Sequence, residues 1–143
     1  MSVMASTSEQ LFRAAIRRAS SNSTLIPSAK NDQEGWHDLA VPGPWTHAHS
    51  DIQGEGFGTL QLSVKLASDT PRLYLSLPDM ASAYELWING ELIAKRGTLG
   101  ESKSSEQPEY GPGVYHVSAQ NALLDIRILS SNYHYQWGGF WYT

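Results

Sequence analysis

The chain has 143 residues, 41% of them hydrophobic, which suffices for one domain with a buried core of its own. Its net charge of −4 and pI near 5.6 argue against the basic surface that nucleic-acid binding requires, and Arg13, Arg17 and Arg18 form too small a cluster to create one. The absence of cysteine excludes thiol chemistry and leaves the compartment open, because a domain of this size folds without disulfides.

Residues 1–5 lack the basic start and apolar core of a signal peptide, and no run of about 18 apolar residues follows that could span a membrane. Ser6-Thr7-Ser8-Glu9 has the form of a capping box, and Leu11, Phe12, Ala15, Ile16 and Ala19 recur at helical spacing. This pattern predicts a short amphipathic helix packed on the rest of the domain or on a second copy of the chain. Residues 20–33 are polar and Ser/Asn-rich, as in a linker. The organisation expected is therefore 1–33 helix and linker, then 34–143 as the folded domain.

From Trp36 onward the period changes to two. Strand signals fall at 39–41, 58–66, 72–77, 83–88, 91–94, 113–117 and 123–129, separated by Gly, Pro, Asn and Ser. Short strands at this spacing, with no second helical pattern, predict an all-β fold, an antiparallel β-sandwich or barrel. The clearest signal is Tyr84-Glu85-Leu86-Trp87-Ile88-Asn89-Gly90-Glu91-Leu92-Ile93, two alternating runs joined by the dipeptide that best fits a type I′ hairpin turn. Tyr84, Leu86 and Ile88 then face one way, Glu85 and Trp87 the other. The connection 96–111, rich in Ser, Glu and Gly, is expected to cross one rim of the sandwich, where Arg96 and Glu101 could orient a polar ligand.

The chain ends in an aromatic segment, Asn132-Tyr133-His134-Tyr135-Gln136-Trp137-Gly138-Gly139-Phe140-Trp141. Three blocks occur in order: Val41-Pro42-Gly43-Pro44-Trp45 with Gly56-Phe57-Gly58-Thr59; then Leu77-Pro78-Asp79 through the Asn89-Gly90 hairpin to Gly97 and Gly100, with Pro108, Tyr110 and Pro112 after it; then Ser131-Asn132-Tyr133-His134 with Gly138-Gly139. This arrangement resembles the N-terminal periplasmic domain of bacterial seven-transmembrane receptors with diverse intracellular signalling modules. The resemblance spans about Trp36 to Trp141, and the strand-like opening element of that family has no counterpart in the first ~30 residues. A more distant likeness is to the sugar-binding domain of family 2 glycoside hydrolases, where a similar Asn-Gly hairpin recurs.

Both resemblances imply a galactose-binding-like jelly roll. The first implies an extracytoplasmic, periplasmic sensing domain whose parent carries a diguanylate cyclase or histidine kinase, with membrane attachment and a last strand outside this chain. The implied ligand is a small polar molecule, above all a carbohydrate, with no cofactor and no catalysis in this domain. Residues apt for such a site are Tyr84, Trp87, Asn132, His134, Tyr135, Trp137 and Trp141, because aromatic rings stack on sugar faces while amide, imidazole and hydroxyl groups bond ring hydroxyls. About half of these rings are expected in the core on ordinary burial preferences.

Two rival classes remain at this point. His47, His49, Glu55 and His116 could make a cupin-like metal centre of imidazoles and a carboxylate, although the spacing from His49 to Glu55 is longer than the cupin motif. A docking or dimerisation module would use the aromatic patch against a protein partner. Glycoside hydrolysis would need paired carboxylates, for which Glu85, Glu91 and Asp79 are the only candidates near the rings.

Overall fold

A computed structural model describes residues 2–3, 10–13, 43–47, 53–66, 73–80, 82–118, 123–137 and 139–140, with backbone alone at 2–3, 10–13, 139–140 and His47. In chain order the strands are β1 (Ser2–Val3), β2 (Gln10–Arg13), β3 (Gly43–Pro44), β4 (Gly56–Lys65), β5 (Leu73–Leu77), β6 (Ala83–Ile88), β7 (Glu91–Arg96), β8 (Gly113–Val117), β9 (Leu123–Asn132) and β10 (Gly139–Phe140). A single turn of 3-10 helix, Trp45–His47, follows β3. The large sheet has the order β2-β4-β9-β6-β7, a smaller one the order β1-β5-β8, and β3 pairs with β10; every pairing is antiparallel.

The period-two pattern explains how the two larger sheets meet. Along β4, Leu60, Leu62 and Val64 are buried while Ser63 and Lys65 are exposed, and along β5 Leu73, Leu75 and Leu77 alternate with exposed Tyr74 and Ser76. These inward rows join Leu86 and Ile88 of β6, Leu124, Ile126 and Ile128 of β9 and Val117 of β8 in one hydrophobic core. Each such side chain contributes about 1.5–3 kcal/mol by leaving water. The result is an antiparallel β-sandwich, as the strand spacing predicts.

The Asn89-Gly90 turn forms as expected. Asn89 and Gly90 have φ of 51° and 82°, the two left-handed positions of a type I′ turn, and Ile88 pairs with Glu91 across it. Asn89 is also tied to the central strand, accepting at Oδ1 from the Asp125 N–H (2.9 Å) and donating its own N–H to the Asp125 carbonyl (2.8 Å). The register slips between Leu86 and Trp87, so Ile93 is an extra residue in β7, and both Ile93 and Ala94 pack against the core.

Two elements differ from the sequence reading. Gln10–Arg13 does not wind into the expected N-terminal helix but pairs as β2 with Gln61 to Val64 of β4. A bare edge of β4 would leave a row of unpaired N–H and C=O groups, and an extended segment satisfies them where a helix could not. The rest of the expected helix lies outside the described residues. β9 also runs three residues beyond the expected end, through Ser130, Ser131 and Asn132, because it lies between β4 and β6 and finds ladder partners on both sides.

Replacing Asn89 with alanine is expected to cost about 2 kcal/mol, from losing the short polar side chain that makes left-handed backbone tolerable and the bond to Asp125. Asn89→Gly, which keeps the turn and loses only the side-chain bond, should cost about 1 kcal/mol. Urea unfolding midpoints of the two variants check this order.

Candidate functional site

At the end of the sandwich where β9 stops, hydrogen bonds tie the connecting segments together beside buried Trp45. Asn132, 1% exposed, donates its side-chain amide to the Gly54 carbonyl (2.7 Å) and to the Tyr135 carbonyl (2.8 Å). The Trp45 indole N–H donates to the same Gly54 carbonyl at 3.1 Å. Two connecting segments thus meet on the Asn132 side chain, and a third, through Trp45, joins them at the shared Gly54 carbonyl. The fit requires glycine at position 54, since a β-carbon there would lie 1.5 Å from the Gln136 carbonyl oxygen. Asn132 therefore fixes the bend 133–137 in place, and its Oδ1 makes no hydrogen bond.

Opposite this bend lies the connection from β7 to β8, residues 97–112. Thr98 and Gln107 exchange backbone hydrogen bonds at 2.8 and 3.0 Å, closing a loop whose far end is a serine-rich turn. In that turn Ser105 and Glu106 donate their N–H groups to the Ser102 carbonyl, and the Ser105 hydroxyl accepts from the Glu101 and Ser102 N–H groups. The loop folds back on the large sheet, with Gly100 N–H donating to Ser131 Oγ at 3.2 Å. Glu106 is carried inward by this arrangement and is 3% exposed. Both its carboxylate oxygens are buried without a hydrogen bond, and its Oε1 lies 3.5 Å from His134 Nδ1.

The second half of the connection is pinned by Arg96. Its guanidinium donates to the Tyr110 and Pro112 carbonyls (3.1 and 3.3 Å) and pairs with Glu109 at 3.6 Å, while Glu109 accepts from the Gly97 N–H. A hydrogen bond with Tyr115 holds the guanidinium still further above its ordinary pKa, against the opposing effect of burial. Tyr110 is thereby presented at the rim, 55% exposed, with its ring edge-on to Tyr135 at 6.0 Å and 84°.

Of the residues expected in a site, His134 and Tyr135 meet the 97–112 connection through Glu106 and Tyr110, and Trp137 ends the same bend. Trp137 is 55% exposed, and His134 and Tyr135 are half-buried. Asn132 lies beneath them as their tether. Tyr84 is a correction: it faces the core at 1% exposure, and its hydroxyl shares a 2.8 Å hydrogen bond with Tyr115. Burial first, and that hydrogen bond second, hold the Tyr84 phenol far above its usual pKa. Trp87 is a second correction. It sits half-buried on the outer face of the large sheet, donating its indole N–H to Glu85, and its partner Arg127 lies five residues, about 17 Å at ~3.4 Å per residue, from the end of β9.

Trp141 and His49 lie outside the described residues, and so does the side chain of His47. His116 is exposed on the outer face of the small sheet, edge-on to Tyr74 at 5.4 Å, whereas Glu55 precedes β4 in the large sheet. Among the described residues no three His, Asp or Glu side chains are placed to hold a metal ion. Glu85 is engaged by Lys95 at 2.7 Å, and Glu91 is exposed at the hairpin, so neither faces the rim. Glu101 lies exposed in the serine-rich turn.

Sequence reasoning missed Glu106 and Tyr110. Nothing local marks Glu106 for burial, since it follows five exposed residues and is turned inward only by the Thr98–Gln107 closure. Tyr110 had a signal, its place between Pro108 and Pro112, but the sequence did not show that it would meet Tyr135.

No family model matches the chain, and no curated sequence is significantly similar to it. Solved structures do share its fold. A beta-glucuronidase from Faecalibacterium prausnitzii superposes with a TM-score of 0.62 at 18% identity over 86% of this chain and 21% of its own. A GH2 beta-galacturonidase from Eisenbergiella tayi, solved with galacturonate bound, superposes with a TM-score of 0.52 at 10% identity over 97% of this chain and 22% of its own. The chain thus spans about a fifth of the length of either enzyme. The shared element is the β-sandwich, in agreement with the likeness to family 2 glycoside hydrolases read from the hairpin.

Two outcomes test this geometry. Because the folded chain keeps the Tyr84 proton to higher pH than the unfolded chain, stability is full below pH ~10 and should fall above it by up to about 1.4 kcal/mol per pH unit. Tyr84→Phe should remove that one-proton slope in alkaline unfolding titrations. Gly54→Ala should cost 2 kcal/mol or more, about the effect of a severe packing clash, and alter Trp137 fluorescence as the bend is displaced.

Proposed function

We propose that this chain is a non-catalytic carbohydrate-binding domain whose ligand lies on the rim formed by Tyr110, Tyr135, Trp137 and His134. The observation that carries the reading is the exposure of two large aromatic rings, Tyr110 and Trp137, at 55% each, beside a half-buried imidazole at one end of the sandwich. Water-exposed aromatic faces next to hydrogen-bonding groups are suited to the apolar face and ring hydroxyls of a sugar. The two structural neighbours are glycosidases by name, which adds support for a sugar as the ligand without choosing among sugars. Hydrolysis is not part of the proposal; of the carboxylates weighed for it, Glu85 is paired with Lys95 and Glu91 is exposed at the hairpin.

The wider setting we propose is a periplasmic sensing domain of a bacterial membrane signalling protein, joined to the membrane through segments beyond this chain. Support comes from the ordered sequence blocks that resemble such receptors. No helix among the described residues is long and apolar enough to cross a membrane. Signalling would follow from differential affinity: a sugar bridging the 97–112 connection and the 133–137 bend favours the arrangement in which both are in place.

A thermal-shift screen against mono- and oligosaccharides tests the binding reading. A sugar at ~100 times its dissociation constant adds about 2.7 kcal/mol, or roughly 8 °C for a domain of this size. Trp137→Ala should abolish the shift and leave the melting temperature without sugar nearly unchanged, since exposed substitutions stay within about 0.5 kcal/mol. A flat response to every sugar, with the aromatic rim protected in a self-associated form, would instead mark a docking module.

A further inference from the structure

The rim rests on an electrostatic feature that carbohydrate binding in general does not call for. Glu106 is 3% exposed overall and its side chain 0%, yet neither carboxylate oxygen makes a hydrogen bond. Among the described residues the basic group paired with it is His134 Nδ1, 3.5 Å away and itself without a hydrogen bond. Arg96 is already engaged by two backbone carbonyls and Glu109. A carboxylate taken out of water costs several kcal/mol unless a donor and an opposite charge meet it.

Resting on the carbohydrate reading above, we propose that Glu106 recognises an ammonium group, so that the ligand on this rim is an amino sugar. An ammonium brings three donors and the compensating charge, whereas a hydroxyl brings one donor and leaves the charge in place. A uronate would set a second negative charge against the buried one. Glu106 is closed off at 0% side-chain exposure, so the ligand nitrogen reaches the carboxylate only when the neighbouring His134 ring, 27% exposed and 3.5 Å away, moves aside. Tyr110, 55% exposed, and the Tyr135 ring edge-on to it then border the sugar on one side.

Calorimetric titration of the whole chain with glucosamine, glucose, N-acetylglucosamine and glucuronate, at a pH where the amine is protonated, with ethanolamine as a non-sugar amine, tests this. Glucosamine should bind about tenfold more tightly than glucose, the two others more weakly still, and Glu106→Gln should bring all of them within about twofold. Sugars that bind without this charge order, or an order that survives Glu106→Gln as it would if an internal water satisfied the carboxylate, overturn the inference and leave the carbohydrate reading standing. Ethanolamine binding that is lost in Glu106→Gln, with no sugar bound, upholds the ammonium site and overturns the carbohydrate reading. Silence from every probe overturns both. Should Glu106→Gln fail to fold, the order of affinities in the unaltered chain decides alone.

Discussion

The double-sided pairing of β9 is the constraint on which the rest of this structure depends. Leu123–Asn132 has β4 as a ladder partner along its whole length and β6 along most of it, so its backbone is satisfied on both sides. Its inward row, Leu124, Ile126 and Ile128, is 0–2% exposed and faces the β5 side of the core. Its outward row carries a polar lattice, with Asp125 accepting from Gln61 at 2.8 Å and from Arg127 at 3.0 Å. One strand therefore sets the register of the large sheet, the position of the Asn89 turn and the height at which the rim begins.

The end of β9 changes character because the apolar core stops before the strand does. Ser130, Ser131 and Asn132 are each 0–1% exposed, and buried polar side chains must find partners. Ser130 meets Ser82 at 3.4 Å, Ser131 accepts from Gly100, and Asn132 spans Gly54 and Tyr135. Each of these bonds recruits a different connecting segment. The aromatic rim is thus a consequence of how three small polar residues are satisfied, and the same backbone can present other rims in other proteins of this fold.

Much of the sandwich was legible because period-two alternation is a local signal. Leu60 to Leu66 and Leu73 to Leu77 state their buried faces outright, and Asn89-Gly90 states a turn that only left-handed backbone can make. The segment Gln10–Arg13 was misread because its apolar spacing suits a helix, while the deciding factor was the open edge of β4, which lies fifty residues away in sequence. Tyr84 and Trp87 were assigned to opposite faces correctly, but which face met water, and how far each sat from the rim, depended on the second sheet. Glu106 was illegible for a related reason: its burial follows from a loop closure and a contact with the end of β9, neither of which leaves a pattern around it.

The rim joins two segments that share no strand. The bend 133–137 hangs from Asn132, and the connection 97–112 hangs from Arg96, Ser131 and the Thr98–Gln107 closure. Where they meet, the contacts are the edge-on Tyr110 and Tyr135 rings and the His134–Glu106 approach at 3.5 Å, longer than a hydrogen bond between charged groups. Each segment is held on its own side by hydrogen bonds that do not depend on the other. A ligand touching both sides stabilises the joined arrangement by the whole of its differential affinity, without having to deform either sheet. Under the proposed function, that arrangement would let a small molecule at the rim shift the population of a loop arrangement while the sandwich beneath it stays as it is.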